Sequence, residues 1–155
     1  MKLLRIIFFT LVIILTTSIS EPINKNSHEF KLYEKKGLYF VRLTLNGYIG
    51  NFLLDTGATI SIIDINQSKN YKFKYHTTNS ELSGIGGSLI KYRITNTMVS
   101  DRDYILNIKF SGIDLKPVIS DLRKRNMHVI GIIGGDYLTH CSAVINYKEK
   151  TLTIY

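Results

Sequence analysis

The chain of 155 residues holds one cysteine, Cys141, so an internal disulfide framework is excluded. Cys141 lies among apolar residues near the C-terminus, where a buried, inert thiol is expected. The histidines His28, His76, His128 and His140 have no metal-ligand spacing, and there is no His-x-x-x-His pair. No metal and no cofactor are therefore expected. Gly84-Ile85-Gly86-Gly87 is followed by neither Lys-Ser/Thr nor dinucleotide spacing, so it is not a nucleotide loop. Alanine and glutamate are scarce, while Ile, Val, Thr, Tyr and Phe are plentiful, a bias towards strands. Internal repeats and low-complexity tracts are absent. The apolar share of 45% argues against disorder.

The charge is unbalanced, at +8. Without Lys2 and Arg5 it is +6 (8 − 2). A basic chain can meet nucleic acid or anionic lipid. Here the cations are scattered, and the basic-aromatic stretch from Lys69 to Lys74 reads as a strand or loop with a solvated face. No nucleic-acid partner is expected.

Residues 1–20 combine a basic start, an apolar run from Ile6 to Leu15 and small residues at Ser18 and Ser20. That pattern predicts a signal peptide or an N-terminal membrane anchor. A span needs about 20 apolar residues, and residues 3–19 come close enough to act as a membrane tether. In both cases the rest of the chain is exported: periplasmic, secreted or membrane-anchored facing outside the cytoplasm. Residues 21–35 read as a polar lead-in, and residues 36–155 as one domain.

Within that domain, residues 38–45 and 48–54 flank Asn46-Gly47, a strong hairpin signal. The second strand runs into Asp55-Thr56-Gly57, and residues 58–63 are expected to leave it as another apolar strand. Further strands are expected over 91–99, 104–110, 113–119, 143–146 and 151–155, with a short helix over 136–141 and a helix or loop over 121–128. Many short strands with regular turns imply a barrel or sandwich. An Asp held between apolar strands is costly unless paired or functional, which makes Asp55 the candidate catalytic residue. Two carboxyls about 3 Å apart share one proton, so one activates water while the other assists a carbonyl. Thr56 can brace such a loop, and Gly57 lets the backbone come close.

Phe52-Leu53-Leu54-Asp55-Thr56-Gly57-Ala58-Thr59 resembles the active-site strand of retropepsin-like aspartic peptidases. Leu82 to Leu89, with Gly84, Ile85, Gly86 and Gly87, resembles their glycine-rich flap. Ile132-Ile133-Gly134 before a short helix resembles their second hallmark, and residues 143–147 with 151–155 are similar to the C-terminal strands of bacterial members. The resemblance covers residues 38–155. It implies an all-β fold, an acid-protease (retropepsin-like) closed β-barrel with one short helix near the C-terminus. It also implies a homodimer, because the chain has one Asp-Thr-Gly. Asp55 of each subunit would form the dyad, Thr56 would brace the dimer axis, and residues 84–87 would close over a peptide or protein substrate. Gly135 stands where viral members usually carry Arg, and Thr59 where they often carry an acid, so the pattern is nearer the bacterial and cellular relatives. Asp136 is not a second catalytic acid, since no Thr/Ser-Gly follows it. The alternatives are a catalytically silent peptide-binding module of the same fold and a membrane-tethered interaction protein.

Overall fold

The computed structural model describes residues 27–84 and 87–155. The expected signal or anchor segment, and Ile85 and Gly86 of the glycine-rich tip, lie outside the described residues. The strands are β1 (His28–Lys35), β2 (Leu38–Leu45), β3 (Tyr48–Leu54), β4 (Ile62–Asp64), β5 (Lys74–Gly84), β6 (Gly87–Thr95), β7 (Val99–Asp101), β8 (Tyr104–Leu106), β9 (Ser111–Ile113), β10 (Gly131–Ile133), β11 (Val144–Asn146) and β12 (Thr151–Ile154). The helices are α1 (Ser68–Tyr71), α2 (Lys116–Lys124) and α3 (Gly135–His140).

Asn46 and Gly47 both have positive φ, 49° and 88°, the conformation a two-residue hairpin turn requires. The turn pairs Leu45 with Tyr48 and fixes the β2–β3 register through to Phe40 opposite Leu53. The Asn46 side chain secures the corner: its amide donates to the carbonyls of Tyr71 and Asn96, and its oxygen accepts from Met98 N–H. Alternation along β2 then sends Val41, Leu43 and Leu45 into the main core with Phe30, Leu32, Phe52 and Ile133. Phe40 faces the other way and packs with Met127 and Val129.

The short buried strand β10 organises the centre. It pairs parallel with β3, Ile132 opposite Leu53 and Ile133 opposite Leu54, and antiparallel with β4, Ile132 opposite Ile62. The chain therefore leaves β3, rounds the 55–61 loop and returns on the far side of β10. β4 continues into a parallel pairing with β9. At the end of β4 the fully buried Asp64 accepts from Asn66 N–H and Nδ2 and from Arg123 at 3.1 Å, tying the strand to α2. A buried carboxylate is tolerable only with such partners.

The fold class is all-β as expected, but the closed barrel is corrected to an open sheet. The strand order β11-β12-β1-β2-β3-β10-β4-β9-β6-β5 has β11 and β5 as edges among the described residues, with β7 and β8 branching from β2. The reason lies in the β5–β6 hairpin. Only Tyr92 and Arg93 of β6 pair with β9, and β5, on the outer side of the hairpin, pairs with β6 and not with β11 among the described residues. The short helix expected over 136–141 is α3, and among the described residues α1 and α2 accompany it. Residues 113–119, expected as a strand, split into the end of β9 and the start of α2. Pro117 sits in the first turn of α2, where its missing N–H costs nothing, and Leu115 and Ile119 bury one helical face. The strand expected over 104–110 ends at Leu106, and that over 58–63 reduces to β4 beginning at Ile62. The polar lead-in also ends earlier than expected: His28–Lys35 is β1, which pairs with both β12 and β2.

Candidate active site

Asp55 is the first residue beyond β3, and its N–H still reaches Ile133 O at 3.1 Å, so the β3–β10 ladder places it. The turn then closes on itself. Gly57 N–H donates to Asp55 Oδ1 at 2.9 Å, and Ala58 N–H to Asp55 O at 3.2 Å. Asp55 is partly buried, while Thr56 and Gly57 are exposed. A Cβ on Gly57 would lie 3.3 Å from Asp55 Oδ1, so a side chain there crowds the carboxylate.

The loop is latched to the segment after β10 by a chain of hydrogen bonds. Gly135 N–H donates to Ala58 O at 2.7 Å and Gly134 N–H to Ser61 Oγ at 3.1 Å. Ser61 is fully buried, and its hydroxyl donates to Asp136 Oδ1 at 2.7 Å. The same oxygen accepts from Tyr137 N–H at 2.7 Å at the start of α3. A Cβ on Gly134 would fall 2.6 Å from Ile60 C and O and 2.9 Å from Ala58 O, all backbone, so the approach needs glycine. Ile132, Ile133 and Gly134 are thus drawn directly against the Asp55 turn.

The glycine-rich hairpin completes the surroundings. Gly84 pairs with Gly87, whose φ is +107°, and Leu82 and Leu89 on its arms pack against the cluster of Ile62, Ile113, Leu115, Ile119 and Ile132, to which Ala58 and Ile60 also belong as partly buried members. Ile85 and Gly86, at the tip, lie outside the described residues. On the other side, Thr56 lines a depression of about 340 Å³ with Gly135, Leu138, Ala143 and Ile145, next to the edge strand β11. Under α3, burial pushes the Tyr137 phenol far up, with Cys141 and Tyr104 adding to it, and burial also raises the Cys141 thiol. Cys141 is buried as expected, donating to Tyr137 O at 3.0 Å.

A lone carboxyl cannot be acid and base at once. Asp55 Oδ2 makes no hydrogen bond among the described residues and is open to a water or a second carboxyl. Asp64 is not free for that role, since Asn66 and Arg123 engage both of its oxygens, and Asp136 is tied to Ser61 and Tyr137 N–H through Oδ1. Among the described residues, no group of three or more His, Cys, Asp or Glu is placed to hold a metal. Ser61 escaped sequence reasoning. Its signal was a single hydroxyl inside Ile60-Ser61-Ile62-Ile63, where a buried polar group must find partners.

The family model described as retroviral aspartyl protease matches residues 33–146. No curated protein sequence matches the chain significantly. Among solved structures, the EIAV protease complexed with an inhibitor superposes with a TM-score of 0.54 at 17% identity, over 74% of this chain and 97% of that one. The retroviral protease-like domain of Ddi1 from Leishmania major gives 0.54 at 21%, over 76% and 87%. A retropepsin-like aspartic protease from Rickettsia conorii gives 0.50 at 14%, over 83% and 90%.

Proposed function

The chain belongs to the retroviral aspartyl protease family, and from that premise we propose that it is an aspartic endopeptidase acting as a homodimer. The observation that carries this reading is the Asp55 turn, held by Ile133 and latched through Ser61 to Asp136, with one carboxylate oxygen left open. In the dimer the Asp55 carboxyls of both copies share one proton. The ionised one takes a proton from a water as its oxygen attacks the scissile carbonyl carbon, and the other donates its proton to the carbonyl oxygen. Collapse of the resulting diol breaks the C–N bond, with a proton delivered to the leaving amine. Thr56 braces the turn across the twofold axis, Gly57 and Gly134 keep the backbone close, and the hairpin tip at residues 84–87 closes over an extended, largely apolar peptide. With residues 1–20 as a signal peptide, or residues 3–19 as a membrane tether, that substrate lies outside the cytoplasm.

The test is cleavage of a peptide library between pH 4 and 7 by the purified protein and its Asp55→Asn variant, with sedimentation run alongside. Cleavage by the native protein that Asp55→Asn abolishes, from a species of twice the chain mass, is expected. Equal cleavage by both proteins contradicts the assignment. Peptide binding without cleavage by a dimeric native protein reassigns the chain as a silent binding module.

A further inference from the structure

The outer face of β1, β2 and β3 carries a groove of about 340 Å³ that the reading above leaves unused. Its floor is apolar, formed by the buried Phe40 and Met127. Its rim is cationic and aromatic: Tyr33, Lys35, Arg42 and His128. Strand register builds it, since Tyr33 lies opposite Phe40 and Arg42 opposite Asn51, on one face of the sheet.

Arg42 is held ready. Its guanidinium carbon lies 4.1 Å from the Tyr33 ring centroid, and its Nε donates to Asn51 Oδ1 at 3.3 Å. Asn51 is fixed in turn by donating to His128 O at 3.1 Å. Stacking and the Nε bond set the plane of the fork, and among the described residues no carboxylate pairs with Arg42. Lys35 donates to Asn126 O at 3.1 Å, which uses one of its three donors. The acid in the lining, Glu34, does not neutralise these cations. It accepts from Gly37 N–H at 3.1 Å and pairs with Lys150 at 3.3 Å, and these two contacts, Gly37 first, hold its carboxyl below the usual range.

We propose that this groove is a binding site for an acidic residue of the peptide substrate, whose carboxylate meets Arg42 and Lys35 while an apolar neighbour covers Phe40 and Met127. A planar, preorganised guanidinium fork suits a carboxylate in two-point contact. Asn51 and Leu53 share one side of β3 and Asp55 follows directly after its end, so the groove begins four residues from the reacting carboxyl, at most roughly 13 Å at strand spacing. An extended peptide reaches it with a residue about four positions from the cleaved bond. The identification of the ligand as a substrate rests on the peptidase reading; the site itself does not.

Calorimetric titration of the Asp55→Asn protein, which leaves its peptides uncut, separates the two. The probes are an apolar octapeptide extended at both ends by Asp-Glu and the same peptide extended by Asn-Gln. The acidic peptide is expected to bind about tenfold more tightly, the size of effect one charge-assisted pair supplies. Arg42→Ala removes that preference, Lys35→Ala reduces it, and both variants keep the native melting temperature. Equal affinity for the two peptides, binding of neither, or a preference that survives Arg42→Ala combined with Lys35→Ala overturns the proposal. If the native protein cuts no peptide while the Arg42-dependent preference persists, the peptidase reading falls and the groove stands.

Discussion

Replacing Ser61 by alanine removes one oxygen from a fully buried position and breaks the latch between the Asp55 loop and α3. Two partners are affected unequally. Gly134 N–H is buried and loses its acceptor, which costs about 1–3 kcal/mol. Asp136 is exposed, so its freed oxygen takes up water at little cost. The sum is about 2 kcal/mol, which lowers the melting temperature of a domain this size by roughly 6–10 °C. Asp136→Asn keeps an acceptor at the same place and should cost less than half as much, about 1 kcal/mol or below. Urea titration of the three proteins measures these differences, with an unchanged slope as the check that the unfolded states match. Cleavage by Ser61→Ala should also fall by about tenfold to a hundredfold, because a small displacement of the turn misplaces the reacting carboxyl. A stability loss below about 0.5 kcal/mol would refute the reasoning, since Gly134 N–H would then have found a partner that this structure does not contain.

Gly134→Ala places a methyl group 2.6 Å from the Ile60 backbone, which has no side chain to yield; about 3 kcal/mol or more is lost, and circular dichroism melting should register it. Asp64→Ala strands Arg123 and leaves Asn66 and the Leu115 N–H without their acceptor, for a cost of about 3–5 kcal/mol by urea titration. Alkaline stability follows from Tyr71, Tyr137 and Cys141, whose burial raises all three ionisations in the folded protein. The unfolded chain releases those protons first, so this stability is fully present below about pH 8 and declines as pH rises from about 9 into the range where free Cys and Tyr ionise. Denaturation at pH 7 and pH 10.5 compares the two regimes, and equal midpoints would contradict the burial of these groups.

Local chemistry made part of this fold legible. Asn46-Gly47 specifies its own turn, and Leu53-Leu54-Asp55 and Ile132-Ile133-Gly134 announce buried strand ends whose pairing the structure then supplies. What stayed hidden depends on distant partners. β1 buries only Phe30 and Leu32 along a polar stretch, and it becomes a strand because Leu152, over a hundred residues later, lies opposite Phe30. Val118 and Ile119 favoured a strand by propensity, yet Leu115, Ile119 and Leu122 share a helical face and Pro117 opens the helix, so packing overrode the preference. Closure of the sheet failed for a similar reason, since the length of β5 and β6 relative to β9 is visible only in the register. In the site, Asp55, Thr56 and Gly57 were readable from type and order, whereas Ser61 acquires its role from Gly134 and Asp136, more than seventy residues away.

In the proposed mechanism one Asp55 is half a catalytic centre and two copies complete it. A tandem protein, with two copies of the domain joined by a flexible linker, tests this within one molecule. With Asp55 in both halves it should cleave the peptide that the free dimer cleaves. With Asp55→Asn in one half alone, activity should fall by about a thousandfold or more, because neither remaining carboxyl has a partner. Retention of half the activity in that single-site variant would contradict the account, since each Asp55 would then be working alone.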